Sequence, residues 1–120
     1  VRVFYEIWHE PLLTVNGRHL ISEAISLCGG INVFASAPLL TPTVSAESVL
    51  SARPDVIVGG GSASDAKQFE AAWRRYDVSA LKTVPVRHLS PDTIQRQTPR
   101  VLEGAREMCR ILDEVREQRP

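Results

Sequence analysis

Residues 55–61 read DVIVGGG: one acid, three β-branched apolar residues and three glycines. An apolar run without polar alternation suits a strand covered on both faces, which is the environment of a central strand in a parallel sheet. The glycines end it. Working outward, Ser62 and Asp65 fit a capping box for a following helix, in which Ala66, Phe69 and Trp73 share one face. Before the run, Arg53-Pro54 closes a short helix over residues 46–52, with Ser45 as its N-cap.

The same alternation extends to both ends. VRVFYEIW (1–8) and VPVRHL (84–89) read as strands, and INVF (31–34) as a short one. In a helix over residues 19–28, Ile21, Ala24, Ile25 and Cys28 fall at i, i+3, i+4 and i+7. Thr98-Pro99 opens a last helix to residue 117, with Leu102, Ala105, Met108, Cys109 and Leu112 as its core stripe. Alternating strands and helices imply right-handed βαβ units. The expected fold is α/β and three-layered: a mostly parallel, Rossmann-like sheet with helices on both faces, in one domain over residues 1–120.

Composition narrows the function. The chain has 120 residues, 43% of them hydrophobic, and 14 basic residues balance 14 acidic ones. No basic footprint for nucleic acid or polybasic membrane patch is present. The longest apolar runs fall well short of the ~20 residues that span a bilayer, so membrane insertion is not expected. The first residues read directly as a strand, so an exported parent would carry its signal peptide outside this stretch.

Candidate chemistry is sparse. In LCGGINVF (27–34) the glycines follow a helix, where free carbonyls gather, so the stretch is a helix stop and not a phosphate loop. GGGSASD (59–65) follows a strand but matches neither GxGxxG nor GxxxxGK[ST]. His9, His19 and His88 have no metal-site spacing, and no serine lies in GxSxG. No metal or other cofactor is implied. The lack of an acid/base dyad argues for binding and against an enzyme.

Ligands of such folds sit at the carboxyl ends of the strands. That selects the loops over residues 8–17, 59–64 and 90–97. Asp92 and Arg96 lie in the last of these, spaced either to pair with each other or to meet a ligand's polar groups. Glu47, in the first turn of its helix, suits the helix dipole and equally a docking contact with a basic partner. Cys28 and Cys109 read either as buried free thiols or as a disulfide, which would require an oxidising compartment.

Several motifs then fall in a recognisable order: VRVF (1–4), the Pro11 loop, CGGINVF (28–34), TVSAESVL (43–50), RPDVIVGGG (53–61) and DTIQRQTPRVLEGAREMC (92–109). Together they resemble the C-terminal lobe of periplasmic substrate-binding proteins of the cobalamin, iron-siderophore and heme type, which feed ABC importers. The cobalamin-binding branch is the nearest likeness. The resemblance covers the whole chain but about half of the usual protein, without its first lobe and connecting helix.

It implies a periplasmic location, a corrinoid or other metal-chelate ligand, and an ABC importer permease as partner. It implies that Cys28 and Cys109 form a disulfide and that Glu47 docks onto permease arginines. It also implies that Asp92 and Arg96 face the corrinoid. Leu13 stands where the cobalamin-binding branch has a phenylalanine, and Thr41 where it has a tryptophan. Trp8 and Tyr5 are the nearby aromatics that could compensate, although Tyr5 equally suits the core. These departures leave heme and ferric siderophore open as ligands. The contrasting expectation is a small cytoplasmic α/β enzyme or nucleotide-binding regulator, which would keep two free thiols.

Overall fold

Four parallel strands form the centre of the computed structural model, which describes residues 1–9, 11–59, 66–75, 84–89 and 101–118. Along the chain run β1 (Arg2–Glu6), α1 (Leu20–Leu27), β2 (Ile31–Asn32) and α2 (Ala46–Ala52). Then come β3 (Val56–Gly59), α3 (Ala66–Arg74), β4 (Val86–His88) and α4 (Val101–Glu117). The strand order is β2-β1-β3-β4, with Val3 opposite Val56 and Glu6 opposite Gly59, so Val56–Gly59 is an inner strand, as expected of that run.

The apolar runs of β1 and β3 are explained by two cores, one on each face of the sheet. Alternate side chains point to opposite faces. Val3, Tyr5, Val56 and Val58 pack with Ile21 and Ile25 of α1 and with Met108, Ile111, Leu112 and Val115 of α4. Phe4, Ile57 and Val86 pack on the other face with Val49 of α2 and Phe69 and Trp73 of α3. Three layers result. Burial is complete at the sheet centre: Val3, Phe4, Tyr5, Val56, Ile57 and Val58 are all 0% exposed.

Local chemistry sets the element ends. His19 caps α1 by accepting from the Ile21 N–H at 3.1 Å, and Ser45 caps α2 by accepting from the Ser48 N–H at 3.1 Å. At the end of α1, Gly29 is left-handed, with φ of 78°. Its N–H reaches the Ser26 carbonyl, and the Gly30 N–H reaches that of Ile25. This is a Schellman closure. LCGGINVF is therefore a helix stop. Helix α2 ends with Arg53 left-handed at φ of 52°, and the Arg2 guanidinium covers the Ala52 and Arg53 carbonyls.

Three extents differ from the sequence reading. β1 leaves the sheet after Glu6, because the Ile7 N–H turns to the Leu13 carbonyl. β2 stops at Asn32, where the Asn32 side-chain oxygen accepts from the Phe34 N–H and turns the chain. In α4 Met108 and Leu112 of the expected stripe are buried, Ala105 and Cys109 partly so, and Ile111 and Val115 join them, while the Leu102 side chain lies outside the described residues. The expected capping box at Ser62 and Asp65 and the Thr98-Pro99 cap lie outside the described residues.

Cys28 and Cys109 form a disulfide across 81 residues, with their Cα atoms 4.8 Å apart. It ties the end of α1 to α4, and Arg116 of α4 donates to the Cys28 carbonyl. Replacing both cysteines with serine is expected to lower the unfolding free energy by roughly 4–5 kcal/mol in the chain-entropy model, read as a lower urea midpoint. Gly59 takes φ of 143°, and a Cβ there would lie 2.3 Å from the Glu6 carbonyl oxygen. Gly59→Ala is expected to destabilise the chain by about 2–4 kcal/mol in the same experiment, because main chain cannot move aside.

Candidate functional site

From β1 the chain crosses to β2 on one side of it, and later to β3 on the other. The switch point therefore lies between β1 and β3, and its carboxyl edge is the Glu6–Gly59 pair. In open parallel sheets, ligands bind in the crevice outside this point.

The segment after β1 is built over that edge. Its sequence reads as a loop, yet Leu12, Thr14, Val15 and Asn16 are buried. Its backbone pairs with a strap over residues 37–44. The Thr14 N–H donates to the Pro42 carbonyl, Asn16 to Leu40, and in return Val44 to Leu12. The Asn16 side chain holds the Ala37 carbonyl at 3.0 Å, and Arg18 holds that of Pro38 at 2.8 Å. Leu13 bridges Trp8 on one side and Thr43 on the other.

These pairings gather three of the sequence candidates. Trp8 is 45% exposed, Leu13 is half-buried beside it, and Thr41 is exposed two positions before Thr43. Leu39 and Leu40, at 65% and 48% exposure, add apolar surface to the strap. Sequence reasoning missed these two leucines; the signal was an apolar pair between prolines in a polar loop. Tyr5 does not compensate for a missing aromatic. It is 0% exposed within the α1–α4 core, because it points to the face opposite Phe4 and Glu6. Asp92 and Arg96 lie outside the described residues. Glu47 stands exposed in the first turn of α2.

The sequence reading also missed Glu6. It is the last residue of β1 and is 1% exposed. Its Oε1 accepts from the Trp73 indole N–H at 3.0 Å and lies 2.9 Å from His9 Nδ1. The His9 and Trp73 rings meet edge to face at 6.1 Å. Burial pushes the Glu6 carboxyl above its ordinary value, and the bonds and charge of His9 and the Trp73 bond partly offset this. The signal for it was a carboxylate inside a run otherwise fit for a core. Burial also pushes the capping His19 imidazole down. Among the described residues no group of three or more His, Cys, Asp or Glu side chains could hold a metal ion, and no helix is long and apolar enough to cross a membrane.

No family model matches the chain. It is 35% identical over 119 residues to a vitamin B12-binding protein of Vibrio parahaemolyticus serotype O3:K6, covering 99% of this chain and 43% of that protein. It is 38% identical over 114 residues to a vitamin B12-binding protein of Yersinia pestis (strain Pestoides F), covering 95% of this chain and 39% of the relative. The chain thus spans about two fifths of the curated relatives it matches. Its fold superposes on the crystal structure of the periplasmic vitamin B12 binding protein BtuF of Vibrio cholerae with a TM-score of 0.82 and 35% identity. That match covers 98% of this chain and 46% of that one. Along nearly its whole length, this chain is a homologue of one portion of the vitamin B12-binding proteins and carries their α/β fold.

Proposed function

We propose that this chain is the C-terminal lobe of a periplasmic substrate-binding protein of an ABC importer, and that it forms one wall of a cleft holding a corrinoid between two lobes. The observation that carries this reading is the 35–38% identity to vitamin B12-binding proteins along 95–99% of the chain. The geometry supports it. Trp8, Leu13, Leu39 and Leu40 put apolar surface at the switch point, with Thr41 as a polar neighbour. A large chelate with apolar faces and a polar rim suits such a wall. In this reading Asp92 and Arg96 supply polar contacts to the rim. The disulfide suits an oxidising compartment such as the periplasm.

The mechanism is capture without bond making. The ligand favours the closed arrangement of two lobes by touching both, which is a differential interaction. Glu47, exposed on α2, offers a charge to arginines of the permease, and a matching acid on the other lobe would fix the orientation. Heme or a ferric siderophore is the alternative ligand. Leu13 and Thr41 leave it open, since neither supplies the ring that the cobalamin-binding branch carries at that position.

Calorimetric titration of the two-lobed protein carrying this chain, with cobalamin, heme and a ferric siderophore in turn, tests the reading. Tight binding of cobalamin alone is expected. Binding of heme or siderophore alone would move the assignment to the alternative, and no binding of any would overturn the receptor role. Trp8→Ala is expected to weaken ligand binding roughly 2–10-fold, the loss of one aromatic contact of about 0.5–1.5 kcal/mol. Glu47→Arg is expected to leave ligand affinity unchanged while weakening association with the permease in detergent or nanodiscs.

A further inference from the structure

Among the described residues, Glu6 is the buried side chain able to carry a charge. Two donors from different elements converge on one of its oxygens. Trp73 belongs to α3, in the core, and His9 belongs to the segment that carries Trp8 and Leu13. An indole N–H only donates, so Oε1 accepts from Trp73, and while Glu6 is ionised it accepts from the His9 Nδ1–H as well. The carboxylate thus joins the sheet and α3 to the start of the segment after β1. We propose that Glu6, His9 and Trp73 form a proton-sensitive latch that positions the start of the segment after β1, and with it Trp8 and its bridge partner Leu13 beyond the carboxyl edge of β1.

The physical case rests on opposed effects at one buried atom. Burial disfavours the charged carboxylate, whereas charge-assisted bonds from His9 and Trp73 favour it. Protonation removes the charge, weakens both bonds and loosens the His9 tether. His9 is the titratable group seen to face Glu6, from the segment after β1. From β3 the neighbour is Gly59, which brings no charge. From β4, His88 lies in the same register row two strands away, with its ring against Phe69. Arg74 of α3 donates to the Val84 carbonyl, and Arg87 of β4 to that of Val86.

The direction with pH follows from burial. Since the folded chain binds the Glu6 proton more tightly than the unfolded chain, this group's contribution to stability falls as pH rises from the ordinary carboxylate range through the raised value. The latch bonds are at full strength above that window and weaken below it. Trp8 and Trp73 are the chain's two tryptophans, so their indole N–H signals report the segment and the core separately.

The test is a ¹H–¹⁵N titration of the full chain. Both indole signals are expected to move with one common midpoint above the ordinary carboxylate range, and Glu6→Gln is expected to abolish that common step. His9→Leu is expected to keep the Trp73 step, shift its midpoint upward and uncouple Trp8 from it. A flat Trp8 signal in the unaltered chain would overturn the latch, as would a Trp8 step that survives Glu6→Gln or still follows Trp73 in His9→Leu. If Glu6→Gln fails to fold, the His9→Leu result decides alone. The inference concerns the segment that the proposed binding role uses, but this readout needs no ligand. Failure of the latch and failure of the receptor reading are therefore distinguishable.

Discussion

The parallel pairing of β1 with β3 is the constraint on which the other elements depend. Parallel neighbours cannot be joined by a tight turn, so the intervening chain must travel over the sheet and return. Between Glu6 and Val56 it does so with two helices and an added edge strand, β2. Because β1 and β3 are apolar on both faces, helices must cover both. Helices α1 and α4 take one face, and α2 and α3 take the other. The disulfide then joins the two helices of a single face, α1 and α4.

The same pairing shapes the candidate site. Glu6 and Gly59 end side by side, and Gly59 is the residue whose lack of a Cβ lets the Glu6 carbonyl approach. Beyond this edge residues 12–16 and the 37–44 strap hold each other by backbone hydrogen bonds. Asn32 anchors the arrangement beneath: its amide holds the Val15 carbonyl at 2.9 Å and the Ser22 hydroxyl at 3.2 Å. One buried side chain thus ends β2 and fastens the segment that carries Leu13. Trp8, Leu39 and Leu40 stay exposed on the outside of these paired segments.

Much of the fold was legible because its signals are local. The i, i+3, i+4 spacing of Ile21, Ala24 and Ile25 names the buried face of α1, and Ser45 and Arg53-Pro54 mark both ends of α2. Strand lengths were less legible. Asn32 and Ile7 redirect the chain through bonds to partners that periodicity does not name. The disulfide was one of two readings of distant cysteines until resemblance, and then the 4.8 Å Cα separation, decided between them.

The sequence by itself determined the alternation of elements, the central place of DVIVGGG and the helix stop at Cys28-Gly29-Gly30, since each follows from side-chain size, periodicity or backbone freedom within a few residues. Only the tertiary structure decided that Glu6 is buried on Trp73, that Tyr5 faces the core, and that Trp8, Leu13 and the leucines of the strap share one edge. Those outcomes depend on which face of a strand meets which helix, and on hydrogen bonds between segments tens of residues apart. A short window of sequence carries neither.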